Sequence, residues 1–364
     1  MNRLGILKYD LVSIALYIGL VSFGIINIYS SSFNGSSISL LDFNSIVGKQ
    51  VIFFFLSLVV FIFILFTRNR FFDNSATIVY FLSIILLLGL FVFGVERGGA
   101  RSWYALGPMS FQPSEFAKFG TALFLSKFLS IIQTDLKRNR DILIVLIIIL
   151  VPLILTTIQP DPGSALIFLA FIFPVIREGL NLNYFYFGLY IISTLLLTLK
   201  FNFLVSVAIL TIIFLTYLIY LRNKKIKVSF LKYIFSFFIL VSISFSTNYL
   251  FENVLEQRHR DRINLVLGKE IDTSGIGYNI NQSKIALSNG GLFGTGFLEG
   301  TQTKGNFVPR QHTDFIFSTI GEEWGFIGTL TTIVIFSILI IRIITMQTNN
   351  QTILDVFILI VLQA

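Results

Sequence analysis

Long apolar segments, separated by short polar ones, follow one another along almost the whole chain. Several are about 20 residues long, the length that crosses a hydrocarbon layer roughly 30 Å thick. The pattern predicts an all-α polytopic integral membrane protein with about eleven hydrophobic segments. The segments lie near residues 10–30, 49–67, 76–95, 114–133, 141–158, 162–177, 184–200, 203–221, 229–249 and 314–343, with a shorter last run at 353–364.

Residues 250–313 form the one extended polar stretch of the sequence, rich in Gly, Asn, Gln and charged side chains. Long loops without strong structure of their own are usually functional or disordered. Apolar residues recur in this one, so we expect it to be ordered and packed against the membrane surface. We treat residues 1–364 as a single membrane domain that contains this loop. The recurring apolar residues are Ile280, Ile285, Leu287, Leu292 and Phe293.

Composition supports a membrane protein. Of 364 residues, 55% are hydrophobic and 13% are charged, whereas soluble domains carry roughly 25% charged residues. Cysteine is absent, which excludes disulfides and cysteine metal sites. The net charge of +8 does not indicate a nucleic-acid partner, because the basic residues cluster in short loops between spans, as membrane orientation requires.

The positions of these basic residues predict a cytoplasmic N-terminus, because cytoplasmic loops carry an excess of Lys and Arg. This orientation places residues 96–113, 159–163 and 250–313 together on the outer side. The loops then predicted to be inside carry Arg3, Lys8, Arg68, Arg70, Lys137, Arg138, Arg140, Arg177, Arg222, Lys224, Lys225, Lys227 and Arg342. The short outside loops carry only Lys49, Arg97, Arg101 and Lys200.

The first outer group of polar residues surrounds the start of the fourth span. Pro113 followed by Ser114 and Glu115 is a helix-start pattern in which Ser114 is a candidate N-cap. Glu115 and Lys118 are three residues apart and share one helix face. From spacing alone, the alternative interpretation is a local ion pair at the membrane interface, with Trp103 and Tyr104 as an aromatic belt.

The second and third groups also lie at span ends. Asp161 stands between two prolines in a tight turn, where a solvated acid is the plain alternative. Thr313 is a candidate N-cap for a span that opens with Asp314, whose carboxylate the helix dipole would favour. Glu322 and Glu323 follow inside that span, where acids are costly and mark sites by default. Their alternative interpretation is pairing with basic groups on neighbouring spans.

Six motifs follow one another between residues 99 and 317. They are Gly99-Ala100-Arg101-Ser102-Trp103, Gln112-Pro113-Ser114-Glu115-Phe116-Ala117-Lys118, Gln159-Pro160-Asp161-Pro162-Gly163, Gln282-Ser283-Lys284-Ile285-Ala286, Gly290-Gly291-Leu292-Phe293-Gly294-Thr295-Gly296 and His312-Thr313-Asp314-Phe315-Ile316-Phe317. In this order they resemble the motifs of the SEDS family (shape, elongation, division and sporulation). The string Gly300-Thr301-Gln302 ahead of Asn306-Phe307-Val308-Pro309 is more similar to the family's rod-shape branch than to its division branch.

The resemblance implies a peptidoglycan glycosyltransferase that polymerises lipid II at the outer face of the bacterial cytoplasmic membrane. It implies Asp314 as the essential acid, which we assign as the general base. Arg101 and Lys118 are expected to stabilise the departing pyrophosphate. Expected partners are a class B penicillin-binding protein and the elongation machinery. The wider predicted substrate site adds Glu115, Asp161, Gln112 and Trp103.

A divalent cation such as Mg²⁺ is a further expectation, with Glu115 and Asp314 as its predicted ligands. No organic cofactor is expected. The family usually has Glu where Arg310 stands and Leu where Pro162 stands.

The family's closing motif is not found before Ala364. We therefore expect an incomplete chain and about twelve spans in the complete protein. Between Gly163 and the long loop the family usually has two spans, whereas the apolar segments of this sequence predict four.

A flippase or transporter of the lipid-linked precursor is the alternative function. Intramembrane charges suit transport as well as catalysis. A transporter's site lies near the bilayer midplane, whereas the three polar groups here are predicted at outer span ends. The sequence therefore favours the enzyme.

Overall fold

The protein is mainly helical. The computed structural model describes residues 10–33, 42, 45–97, 99–107, 109–131, 134–223, 230–253, 255, 257–269 and 276–347. The helices are α1 Leu11–Ser32, α2 Ile46–Phe66, α3 Asn69–Phe93, α4 Pro113–Leu129, α5 Asn139–Ile158, α6 Pro162–Leu169, α7 Ile172–Arg177, α8 Leu182–Phe201, α9 Phe203–Asn223, α10 Phe230–Asn253, α11 Gln257–Val266, α12 Ile276–Asn289, α13 Thr301–Lys304 and α14 Ile316–Gln347.

Seven helices among the described residues are long and apolar enough to cross a membrane, which confirms a multi-pass membrane protein. Two predicted spans differ in detail. The fourth is the 17-residue helix α4, and the sixth consists of two short helices, α6 and α7. The predicted run at 353–364 and the basic residues Arg3, Lys8, Lys224, Lys225 and Lys227 lie outside the described residues.

A small antiparallel sheet, absent from the sequence prediction, occupies the segment between α3 and α4. Its strands are β1 Val95–Arg97, β2 Ala100–Leu106 and β3 Met109–Phe111, in the order β1-β2-β3. Strands this short contain too few residues to show a clear alternation of apolar and polar side chains, and the apolar spans on either side obscure the pattern. The sheet fixes the chain that leads into α4.

The chain divides into two compact units, Met1–Asn181 with Gln282–Ala364, and Leu182–Asn281. In the first unit, helices α3 to α7 share a hydrophobic core. Leu87 and Leu90 of α3, Leu125 of α4 and Phe168 of α6 are completely buried there. All the residues of the predicted site belong to this unit.

Helices α1 and α14 of the first unit pack together in opposite directions. Near the start of α1, Asp10 caps the helix and forms a two-point ion pair with Arg342 near the end of α14, with nitrogen–oxygen distances of 2.8 and 3.1 Å. At the other end of the pair, Ser30 donates a hydrogen bond to Glu323. Asp10 and Asp314 therefore lie at opposite ends of this helix pair.

In the second unit, α8 packs against both α9 and α10. The link between α8 and α9 is Asn202 alone, with φ of 73°. Asn adopts this left-handed conformation more readily than most residues, which explains how so short a link reverses the chain. Between α8 and α10, the buried hydroxyls of Thr198 and Ser244 are 2.7 Å apart.

The described residues of the long polar segment 250–313 form short helices and turns. The segment contains α11, α12 and α13, together with the end of α10. Its glycine-rich part, Gly290–Gly296, packs against α14 through backbone hydrogen bonds. The predicted packing of this segment against the membrane surface stays a prediction.

Candidate active site

The sheet places Arg101 at the end of α3. The Arg101 guanidinium donates to the carbonyls of Gly94 over 2.8 Å and Val92 over 3.3 Å, groups that a helix end leaves without partners. An arginine has five N–H donors, so three remain to bind an anion. Arg101 is exposed, as such a role requires.

Trp103 lies beside Arg97, whose guanidinium carbon is 5.8 Å from the ring centroid. The Tyr104 hydroxyl donates to the Leu86 carbonyl over 2.8 Å, and burial raises its pKa. The Tyr104 hydrogen bond ties β2 to α3, whereas the Trp103 contact joins β2 to β1. A substrate contact of Trp103 stays a prediction.

Helix α4 begins at Pro113, and its N-cap is Gln112 rather than the predicted Ser114. Proline fills the first helical position well because it has no N–H to leave unpaired. Ser114 is instead the second helical residue and is buried. The Lys118 ammonium lies 2.7 and 2.8 Å from the two oxygens of Glu115, which confirms their shared face.

Asp161 is not simply a solvated acid in a turn. It is the N-cap of α6 and accepts hydrogen bonds from the Ser164 backbone N–H over 3.1 Å and the Ser164 hydroxyl over 2.8 Å. The Gln112 side-chain amide donates to the same carboxylate over 3.0 Å. This bond joins the start of α4 to the start of α6, so two of the predicted motifs meet.

Asp314 precedes α14 instead of opening it, because the helix begins at Ile316. Thr313 does not provide the predicted side-chain cap, since its hydroxyl donates to the Arg310 carbonyl. The Asp314 carboxylate is 60% exposed and lies 3.5 Å from the Arg310 guanidinium. Arg310 therefore places a cation beside the predicted base, where the family usually has an acid.

Among the described residues, no hydrogen bond or ion pair joins Asp314 to Glu115, Lys118 or Asp161. In the same part of the chain, no three His, Cys, Asp or Glu side chains are grouped to hold a metal ion. Glu115 and Asp314 each pair with a cationic side chain, an arrangement that does not favour Mg²⁺. The divalent cation stays a prediction.

Glu322 and Glu323 are buried. Within the described part of the chain, the hydrogen bonds that their carboxylates accept come from hydroxyl and backbone N–H groups instead of basic side chains. Glu322 accepts from Thr301, Gln302 and Thr303. Glu323 accepts from Ser30, and its second oxygen has no hydrogen-bond partner among the described residues. The expectation of basic partners is not met by these contacts.

Gly325, the second residue after these acids, breaks α14 with φ of 66°. The carbonyls of Glu322 and Glu323, before the break, accept from the backbone N–H groups of Thr295 and Gly296 over 2.9 and 3.1 Å.

Beyond the break, Phe326 and Ile327 donate to the carbonyls of Gly291 and Leu292 over 2.9 and 3.2 Å. The glycine-rich motif thus supplies the backbone partners that the broken helix lacks. The glycines of 290–296 and Gly325 indicate, in the sequence, places where backbones approach closely. That these two segments form hydrogen bonds with each other is visible only in the folded structure.

Gln311 was not predicted as a site residue. It is buried, and its amide bonds to carbonyls of Ser31 and Thr303 over 2.9 and 2.8 Å. Nothing in the local sequence distinguishes it from an exposed loop glutamine.

A family model described as a cell cycle protein, for FtsW, RodA and SpoVE, matches residues 10–205 and 187–363. The chain belongs to this family. The FtsW, RodA and SpoVE family is the SEDS family of the motif comparison, so the resemblance is confirmed.

Relatives in the SEDS family include proteins named for one activity. The peptidoglycan glycosyltransferase MrdB of Escherichia coli K12 is 30% identical over 78% of this chain and 63% of its own length. The peptidoglycan glycosyltransferase RodA of Treponema pallidum is 30% identical over 89% of this chain and 79% of its own length. The chain thus spans less than two thirds of the Escherichia coli relative.

Two solved structures share the fold of this chain. A chain in a peptidoglycan synthase complex, described as coordinating polymerization and crosslinking, matches with a TM-score of 0.66 and 23% identity, covering 97% of this chain and 82% of that one. Rod shape determining protein RodA of Thermus thermophilus matches with a TM-score of 0.51 and 23% identity, covering 98% and 80%.

Proposed function

We propose that this protein is a peptidoglycan glycosyltransferase that joins lipid II disaccharide units into glycan strands for cell elongation and shape. It acts in the bacterial cytoplasmic membrane, with its N-terminus in the cytoplasm and its active site on the outer face. Family membership and the names of the relatives support this activity.

The observation that carries the proposal is the position of the predicted site residues at helix starts. Asp161 caps α6, Glu115 and Lys118 lie in the first two turns of α4, and Asp314 stands two residues before α14. Helix N-termini carry partial positive charge and bind phosphate groups. A lipid-linked pyrophosphate presents its anionic group at the membrane surface, where helix ends lie.

The reaction forms a bond between the 4-hydroxyl oxygen of one sugar and the anomeric carbon of another. The bond from that carbon to the pyrophosphate oxygen breaks, and undecaprenyl pyrophosphate leaves with the electron pair. Asp314 takes the proton of the attacking hydroxyl, a role typically worth about 10²–10⁴-fold in rate. Lys118 and Arg101 stabilise the negative charge that develops on the leaving group.

Lys118 and Arg101 have donors left for this task. Lys118 has three N–H donors, and contacts to Glu115 use two of them. Glu115 positions this ammonium. Gln112 and Asp161 hold the starts of α4 and α6 together behind it.

A class B penicillin-binding protein is the proposed partner, together with the elongation machinery. Support comes from the similar chain in a complex described as coordinating polymerization and crosslinking. A polymerase and a crosslinking enzyme act on the same strand, so their association is chemically useful.

Transport of the lipid-linked precursor is the second candidate function. The observation that favours it is Glu323, a buried acid inside α14 with one oxygen unpartnered among the described residues. Membrane transporters use such acids as ion or proton sites. The outer helix-end residues favour polymerisation more strongly.

One experiment separates the two functions. The purified complete protein, reconstituted in vesicles, is supplied with fluorescent lipid II in the outer leaflet, and products are resolved on a gel. A ladder of glycan polymer supports the glycosyltransferase. Movement of label to the inner leaflet without polymer supports transport and overturns the proposal.

A further inference from the structure

The Glu322 carboxylate anchors a single short segment of the chain. It is completely buried and accepts hydrogen bonds from the backbone N–H groups of Gln302 and Thr303 over 2.7 and 2.8 Å. The hydroxyls of Thr303 and Thr301 donate to it over 2.6 and 3.2 Å. Four bonds from one segment fix α13 against α14, since hydrogen bonds to a carboxylate are among the strong ones.

Gln311 connects this anchored segment to the outer end of α1, in the proposed orientation. Its side-chain nitrogen lies 2.8 Å from the Thr303 carbonyl, 2.9 Å from the Ser31 carbonyl and 3.1 Å from the Asn306 side-chain oxygen. Gln311 is 3% exposed. The side-chain NH2 group has two N–H donors for these three acceptors, whereas the Gln311 side-chain oxygen has no hydrogen-bond partner among the described residues. The bonds from the nitrogen hold the amide in one orientation, because an unmade buried hydrogen bond is costly.

The backbone turn around Gln311 also contains Asp314. The Arg310 carbonyl accepts from the backbone N–H groups of Thr313 over 3.0 Å and Phe315 over 3.4 Å. These bonds close the turn, so a displacement of Gln311 is transmitted to Asp314.

Asp314 itself has little direct support. Its carboxylate is exposed, and its ion-pair partner Arg310 is also exposed; ion pairs between exposed side chains contribute little to stability. A general base must lie within hydrogen-bond reach of the proton that it accepts. The position of the Asp314 carboxylate must therefore come from the buried neighbours of its turn.

We propose that Gln311 is the positioning residue of the active site. The Glu322 carboxylate anchors α13, α13 anchors Gln311, and Gln311 holds Asp314 in place through the turn that contains both residues. The inference rests on the proposed glycosyltransferase function. Gln311 contacts neither substrate nor reacting atoms and acts only through the turn.

The test replaces Gln311 by Met, which keeps the length of the side chain and removes its amide. In the purified complete protein, kcat for lipid II polymerisation falls at least about tenfold while KM stays within about threefold, because misplacing a reacting group by 1 Å costs on the order of 10²-fold. A spin label on Asp314→Cys, read without any activity, becomes more mobile when Gln311→Met is added.

Gln50→Met is the matched control, because Gln50 is exposed on α2 and its side chain makes no hydrogen bond to the described residues. It leaves kcat and label mobility unchanged. Melting temperatures in detergent establish that each variant is folded. If Gln311→Met does not fold, Gln311→Asn, which keeps the amide on a shorter side chain, undergoes the same test.

Unchanged kcat, or unchanged mobility of the label, overturns the inference. A wild-type protein that makes no polymer overturns the proposed function instead. In that case the label alone decides whether Gln311 fixes position 314.

Discussion

At the scale of single residues, Asp314 is the group on which the proposed chemistry depends. Replacing it with Asn preserves its shape and its ability to bond a hydroxyl, but the amide does not take up a proton. We expect Asp314→Asn to lower polymerisation by about 10²–10⁴-fold while the folded protein stays in the membrane. Gel analysis of lipid II products measures this, and a near-normal rate would show that another group is the base.

Lys118 and Lys127 belong to the same helix and differ in surroundings. Lys118 pairs with Glu115 at the start of α4, whereas Lys127 in the last turn donates to the Thr77 hydroxyl over 3.2 Å. We expect Lys118→Ala to reduce kcat by about 10²–10³-fold, the usual effect of losing one charge-stabilising group, and Lys127→Ala to reduce it far less. Equal losses would mean that Lys118 does not face the pyrophosphate.

At the scale of elements, the break in α14 depends on Gly294 of the glycine-rich motif. Its φ is 83°, and a Cβ there would lie 2.0 Å from the Glu323 carbonyl oxygen. We expect Gly294→Ala to destabilise the folded protein by more than the 1–3 kcal/mol or so of backbone strain alone, seen as a lower melting temperature in detergent.

Gly24→Ala in α1 is the control for this substitution, because a Cβ at Gly24 meets nothing within 4 Å. Alanine favours a helix interior over glycine by roughly 1 kcal/mol, so this variant keeps or raises the melting temperature. A Gly294→Ala protein as stable as the wild type would contradict the packing described for the break.

The ion pair between Asp10 and Arg342 joins the start of α1 to the end of α14. The hydrogen bond from Arg342 holds the pKa of Asp10 at about 2, below its ordinary value of 3.8. Because the folded-state pKa is lowered, the pair stabilises the fold fully above about pH 4 and loses this effect as pH falls through about 2.

We therefore expect Asp10→Asn to melt below the wild type at pH 6, and the difference to shrink between pH 4 and pH 2. Thermal unfolding in detergent at several pH values measures it. Glu178→Gln, which replaces an exposed acid, is the control. Its melting temperature should show no difference from the wild type that shrinks between pH 4 and pH 2. A constant gap for Asp10→Asn would rule out the ion pair as its cause.

At the scale of the whole molecule, the proposed active site requires an even number of spans between Asp161 and Asp314. In the proposed topology, α6 and α7 together form one span, and α8, α9 and α10 form three more, which gives four. A cysteine at Asn223, at the end of α9, should then resist an impermeant thiol reagent in intact spheroplasts, while one at Lys304 should react. Labelling at Asn223 would overturn this topology.

Lys304 is a better position for the outer cysteine than the neighbouring Thr303, because its side chain is accessible to the reagent. The neighbouring Thr303 is buried and bonded to Glu322, so a cysteine there would be unreactive whatever its side of the membrane. Lys304 is exposed. Because the sequence contains no cysteine, neither variant requires the replacement of a native cysteine first.

The sequence by itself determined the membrane class, the helical fold, the family and the pairing of Glu115 with Lys118. These features are local: the length of an apolar run, the charge of a short loop and a separation of three residues on one helix are all read along the chain. The same local rules gave wrong N-caps at Ser114 and Thr313. Pro113 sets where α4 begins, and the turn at Arg310 sets where α14 begins.

Only the tertiary structure decided how distant segments support the site. Gln112 reaches Asp161, Gln311 reaches Ser31, and Glu322 holds the segment that starts at Thr301. Each contact joins residues tens to hundreds of positions apart, and no periodicity records it. A buried polar side chain must find its partner wherever the fold places one, so these residues acquire their roles only when the helices have packed.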